Sequence, residues 1–239
     1  MWKRSRWYLA GGAAVVLIIA VLISYFYSLN FAKGVSQSQA HTAAGTATAC
    51  GTAVPTTGLR TFSIVPAQTT ASYSVHEDLI LQNNPNAVAV GTTHSVTGGF
   101  VIRTSGTPLV ASMNMTVDLR TLQTDQPRRD QFVQQNSLQT DLYPDATFVS
   151  TCASNLPASY SEGQQAKFQI TGNLTMHGTT NKEVADVQGT LNSGAVTGTA
   201  TMTVYMTDFG IEPPNLANIA IAQNKVLITI TYTAQEGTA

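Results

Sequence analysis

Four histidines, two cysteines and a few carboxylates are the groups in this 239-residue chain whose types could do chemistry. His41, His76, His94 and His177 share no HxH or HExxH spacing, so they form no zinc framework. Asp141 and Asp145 flank Tyr143-Pro144, a turn-like setting in which two acids are more often solvated or capping than a general acid–base couple. No GxSxG elbow, phosphate-cradling glycine loop or dinucleotide fingerprint occurs. The sequence thus points to no enzyme, no metal and no cofactor. Two constellations keep alternatives open. Arg128, Arg129 and Asp130 read as solvated charges at a helix start, as an arginine fork pinning that helix through a carboxylate, or as a contact from Arg129 to a polar ligand headgroup. Cys50 and Cys152 are the only thiols. They pair as a disulfide if both lie in an oxidising compartment; otherwise Cys152 is a buried thiol and Cys50 an exposed or lipid-modified one.

Composition narrows the classes further. Charged residues make up 10% of the chain, with 12 Lys+Arg against 13 Asp+Glu. A nucleic-acid partner is excluded on that balance, because it needs clustered basic groups to replace counterions along the phosphates. Hydrophobic residues at 43% suffice for one core, so disorder of the whole chain is excluded too.

The elements that hold these groups begin with a membrane segment. Residues 7–31 carry no charge, preceded by Lys3, Arg4 and Arg6 and followed by Lys33. At ~1.5 Å per helical residue that run crosses a ~30 Å hydrocarbon layer. The basic bias keeps residues 1–6 in the cytoplasm, and Trp7, Tyr8, Tyr25, Phe26 and Tyr27 sit where aromatic rings prefer the interface. A cleaved signal peptide is the alternative; its apolar core is usually shorter and ends in small residues, whereas this one ends in bulky ones. The expectation is a single-pass cell-membrane protein with an uncleaved signal anchor and an extracytoplasmic domain. Residues 32–58 are mostly small or polar and read as a flexible tether. Without Lys3, Arg4, Arg6 and Lys33, eight basic residues face thirteen acidic ones, so the outer domain has no electrostatic pull toward anionic headgroups.

From residue 59 to 236 the text has period two. Leu109, Ala111, Met113, Met115, Val117 and Leu119 take one face of a strand, Ser112, Asn114, Thr116 and Asp118 the other. Phe168, Ile170, Leu174 and Met176 oppose Lys167, Gln169, Thr171, Asn173 and Thr175. Met202, Val204 and Met206 oppose Thr201 and Thr203, and Val226, Ile228, Ile230 and Tyr232 oppose Thr229 and Thr231, with Leu227 an exception. About eight one-sided strands predict an antiparallel sheet, closed as a barrel or packed as a sandwich. Asp125 as a cap, Pro127 and the spacing of Phe132 and Asn136 predict one short helix over 127–138. Residues 212–223, opening on two prolines, read as a loop or a loop with one helical turn.

Five segments in order resemble the YceI-like family of bacterial extracytoplasmic proteins, from about Phe62 to Ala234. They are Phe62-Ser63-Ile64-Val65-Pro66 with Ala71–Val75; Val96-Thr97-Gly98-Gly99-Phe100; Val117-Asp118-Leu119 to Thr124 with Arg129-Asp130 and Tyr143–Phe148; Gly172–Thr180, which is similar to a G-x-L-T-x-H-G-x-T signature; and Asp208-Phe209-Gly210-Ile211. Two departures stand out. Gln131-Phe132 follow the Arg-Asp pair where the family often has a histidine, and the segment Glu77–His94 is longer than usual; if that segment flanks the opening, ligand preference changes with it. The resemblance implies an all-β, lipocalin-like eight-stranded antiparallel barrel with one short helix, here preceded by a single N-terminal transmembrane helix. It also implies a non-catalytic role: holding an isoprenoid-type or other long-chain lipid, quinone-like or polyprenyl, as carrier or reservoir. The expected lining is Phe100, Ile102, Met113, Met115, Val117, Phe148, Phe168, Ile170, Leu174, Met176, Met202, Val204, Met206, Ile228 and Ile230, in which flexible methionines adapt to an irregular chain. On the residues alone those methionines equally fill a closed core, which would make the domain a structural or interaction module of the envelope. The implied partners are a long-chain lipid and the membrane, with a homodimer left open.

Overall fold

The computed structural model describes residues 48–49 (backbone only), 57–216 and 219–237. The membrane-span reading of residues 7–31, Cys50 and most of the tether lie outside the described residues. Among the described residues no helix is long and apolar enough to cross a membrane.

Twelve strands follow in chain order: β1 (Thr48–Ala49), β2 (Arg60–Ile64), β3 (Thr70–Leu79), β4 (Asn84–Thr93), β5 (Val96–Arg103), β6 (Leu109–Asp118), β7 (Asp145–Ser154), β8 (Gln165–Met176), β9 (Thr179–Asn192), β10 (Ala195–Tyr205), β11 (Asn215–Leu216) and β12 (Ala220–Glu236). Between β6 and β7 lies one helix, α1 (Pro127–Phe132), continued by a π turn over Val133–Ser137. The alternation in the sequence becomes the wall of a barrel. β10, β9, β8, β7, β6, β5, β2 and β12 pair in that order, and β12 returns to β10, so eight antiparallel strands close on themselves. Closure satisfies the backbone groups that an open sheet would expose.

The last strand is long enough to serve two neighbours on one side. Ala234, Gln235 and Glu236 pair with β2, whereas residues 220–231 of β12 pair with β3. The β3–β4 hairpin therefore extends the wall past the barrel proper, and β4 is its outer edge. The long segment Glu77–His94 is this hairpin rather than a loop beside an opening. Residues 212–223 likewise form more than a loop. Asn215 and Leu216 pair with Ile221 and Ala220, so β12 starts within a stretch that its prolines suggested was irregular.

Strand register defines two ends. At one, the open end, lie the β5–β6 turn, the β7–β8 loop, the β9–β10 turn and the C-terminus of β12. At the other lie the β8–β9 turn, α1 and the β10–β12 connection. The core between them includes Phe62, Val96, Met115, Phe148, Leu174, Val204 and Phe209, all nearly or fully buried.

One pairing falls inside the expected free tether. β6 accompanies β7 only as far as Val149. Beyond it, Thr48 and Ala49 pair in parallel with Cys152 and Ala153. The buried Ser150 hydroxyl closes the splay: Met113 N donates to Ser150 Oγ at 2.8 Å, and that hydroxyl donates to Met113 O at 3.1 Å. β1 thus satisfies a stretch of β7 edge that β6 has left.

Candidate functional site

The open end holds an apolar cavity whose walls come from six strands. Phe100, Ile102 and Arg103 of β5 face Leu109, Val110 and Met113 of β6. Ala166, Phe168 and Ile170 of β8, Val187, Gly189 and Leu191 of β9, Val196 of β10 and Tyr232 of β12 complete the wall. Thr104, Pro108, Leu156, Pro157 and Tyr160 frame the mouth. The free space inside is about 80 Å³, smaller than the ~300–1,000 Å³ of an ordinary small-molecule pocket. A long chain entering here must displace core side chains, and Met113, flexible at three torsions, is the lining residue most able to move.

Aromatic contacts build one wall. Phe62 stacks on Phe100 at 5.4 Å between centroids, and Phe100 meets Tyr232 edge-on at 6.1 Å. Tyr232 has room because Gly198 and Gly189 lie opposite; a Cβ on Gly198 would fall 2.7 Å from the Tyr232 hydroxyl oxygen. Burial pushes that phenol above its usual range. Arg103 is the one charged residue among those bordering the cavity, and its guanidinium donates to Thr107 O at 2.8 and 3.1 Å, bracing the β5–β6 turn. Leu191 N donates to the Tyr160 hydroxyl at 2.8 Å, tying the β7–β8 loop to β9. Just outside, Arg60 grips both carboxylate oxygens of Glu236 at 2.7 and 2.6 Å and reaches Glu162 at 3.1 Å. That fork holds the Glu236 carboxyl below its ordinary value. The arrangement offers an apolar tunnel entrance with polar groups only at its rim, which suits binding of an apolar chain. Among the described residues no three His, Cys, Asp or Glu side chains gather to hold a metal ion.

The opposite end is plugged. Arg129 Nη2 donates to Glu77 Oε1 at 2.8 Å and its Nη1 to Asp125 Oδ1 at 2.6 Å. Glu77 is buried. Asp130 accepts from Thr124 N at 2.8 Å and Thr124 Oγ1 at 2.7 Å, closing the turn that leads into α1. Asp125 is therefore not the cap: Gln126 holds that position without a side-chain bond. The arginine fork pins the helix to β3, at the end away from the cavity mouth, so Arg129 and Asp130 are not placed to meet a ligand headgroup there. His177, at the β8–β9 turn, points Nδ1 at Phe209 O, 3.2 Å away, and lies against the ring of Tyr143, which fits a structural role.

The sequence matches the YceI-like domain over residues 62–234. The chain belongs to the YceI-like family. No curated protein matches it in sequence. Two solved structures share the fold. A polyisoprenoid binding domain from Saccharophagus degradans, implicated in plant cell wall breakdown, aligns with TM-score 0.58 at 14% identity, covering 75% of this chain and 99% of that one. Burkholderia cenocepacia BcnA aligns with TM-score 0.56 at 19% identity, covering 72% and 99%.

In this YceI-like barrel five of the expected lining residues, Phe100, Ile102, Met113, Phe168 and Ile170, border the cavity. The other ten do not. Met115, Phe148, Leu174, Met176, Met202, Val204 and Ile230 are buried in the core, and Val117, Met206 and Ile228 pack half-buried against it. Alternation picks inward residues but not their height along the barrel. Val110 breaks strict alternation: a β-bulge where Ile102 pairs with it shifts the register, and both Leu109 and Val110 are buried. Leu156, Pro157 and Tyr160 come from a loop with no periodic signal; only the Leu-Pro and Tyr composition of 156–160 marks it as more than solvent-facing. Cys152 is disulfide-bonded, and Cys50 lies outside the described residues.

Proposed function

We propose that this protein is a membrane-tethered, extracytoplasmic carrier or reservoir that holds one isoprenoid-type or other long-chain lipid in its barrel without acting on it. The observation that carries the reading is the cavity, apolar apart from its rim and open at one end of a closed eight-stranded wall. The polyisoprenoid binding named for the Saccharophagus degradans domain supports the ligand class. The uncharged run 7–31 with its basic N-terminal flank supports the tether, with residues 1–6 cytoplasmic and the barrel outside. An oxidising location also accounts for Cys152 in a disulfide, and we infer that its partner is Cys50, the other cysteine of the chain.

Native mass spectrometry of residues 34–239 from a bacterial host, followed by solvent extraction, tests the ligand. A stoichiometric adduct of several hundred daltons that extracts as a polyprenyl or quinone species is the expected result. Protein that carries no adduct and takes up no added isoprenoid would refute the carrier. A second reading then stands, that of a filled-core interaction domain of the envelope. What favours it is the small free volume of about 80 Å³.

A further inference from the structure

The exposed apolar residues of the barrel are distributed unevenly between its ends. At the open end the exposed large hydrophobic among the described residues is Leu59. At the plugged end two hairpin tips stand side by side, joined where Ile80 N donates to Ile219 O at 2.9 Å. Leu81 is 74% exposed, Ile219 52%, and Ile80, Leu216 and Ile221 are exposed with them. No charged residue occurs from 79 to 93 or from 213 to 224. A surface that only had to stay in water would gain nothing from five apolar side chains on two uncharged, projecting turns.

A second observation gives this end a direction. β1 is parallel to β7, and β7 runs from the plugged end toward the open one. The chain therefore enters β1 from the side of the plugged end, arriving from the segment that contains the uncharged run 7–31. We propose that the paired tips, carrying Ile80 and Leu81 on one and Leu216, Ile219 and Ile221 on the other, dock onto the outer leaflet of the anchoring bilayer, so that the barrel stands on its plugged end and its cavity opens away from the membrane. The inference rests on the reading of 7–31 as a membrane span. Contact is apolar rather than electrostatic, because the outer domain carries a net negative charge and the tips carry none. A lipid would then leave this carrier toward an acceptor across the envelope.

The test uses the full chain reconstituted in phosphatidylcholine vesicles. A thiol-reactive fluorophore is placed by Leu81→Cys at a tip or by Ser159→Cys, at an exposed position of the β7–β8 loop, at the open end, with the unsubstituted chain labelled as a blank. Nitroxide lipids labelled near the headgroup should quench the probe at 81 at least threefold more than the probe at 159, and 0.5 M salt should leave the difference unchanged. Adding Ile219→Asp should reduce quenching at 81. A chain that floats with the vesicles but shows equal, weak quenching at both positions overturns the docking and leaves the tether intact. Stronger quenching at 159 overturns it by reversing the orientation. Self-quenching between labelled copies without lipid quenching overturns it in favour of a second copy on the tips. A chain that fails to float overturns both readings.

Discussion

Filling the cavity should stabilise the empty protein and weaken lipid uptake together. Ala166 is half-buried at the start of β8 and borders the cavity, so Ala166→Leu adds three carbons into free space. Empty volume in a core costs ~24 cal/mol per Å³. For about 80 Å³ that sets an upper bound of ~2 kcal/mol. The open mouth and the ~0.5–1 kcal/mol of rotamer entropy lost by a buried leucine bring the expected gain to about 1 kcal/mol. At a slope of ~2 kcal/mol per M, the urea midpoint of delipidated protein should rise by about 0.5 M. The same leucine must be displaced or overpacked when a chain enters, at ~1–3 kcal/mol, so lipid occupancy should fall about tenfold or more. Native mass spectrometry reads the second effect. A variant less stable than the parent, with undiminished lipid, would show that this space is neither a void nor the entrance.

Arg129→Ala leaves the buried Glu77 carboxylate without its partner. Breaking a buried pair costs ~3–5 kcal/mol; Arg129 is 22% exposed, so about 2 kcal/mol is expected in urea melts, largely recovered by adding Glu77→Gln. Equal stability of the single variant would mean the fork does not pin α1. Gly198→Ala drives a methyl toward the Tyr232 hydroxyl and the β9 backbone and should cost ~1–3 kcal/mol, read as a lower thermal midpoint, with part of the loss restored by Tyr232→Phe. Burial raises the Tyr73 phenol from 10 to about 12. Below pH 10 both folded and unfolded states keep that proton and stability is unaffected. Between pH 10 and 12 the unfolded chain ionises first, so stability should fall by up to ~1.4 kcal/mol per unit, and Tyr73→Phe should flatten that limb of the pH profile. Peptide mapping under non-reducing conditions should recover Cys50 joined to Cys152, and separate peptides would refute that pairing.

Much of the wall was legible in the chain. A side-chain period of two assigns faces without tertiary information, so Phe168, Ile170, Leu174 and Met176 could be placed inward from their spacing alone, and the structure has them buried or half-buried. The short helix was legible for the same local reason: Pro127 suits a first turn, and Asn136 Nδ2 donates to Phe132 O at 3.2 Å, four residues back. Closure into eight strands followed from the family motifs rather than from alternation, which serves a sandwich equally well.

What only the tertiary structure decided is position along the barrel axis. Met113 and Met115 are equivalent in the alternation, yet one borders the cavity and the other packs in the core below it. Their difference is set by how far each strand is staggered against its neighbours, a property of pairing and not of any one segment. The same holds for Arg129: its spacing announced a fork, but only the packing of α1 on β3 placed that fork at the plugged end. Local sequence determines which way a side chain points because backbone geometry is local; what it meets there depends on residues such as Glu77, 52 positions away, that the fold brings to it.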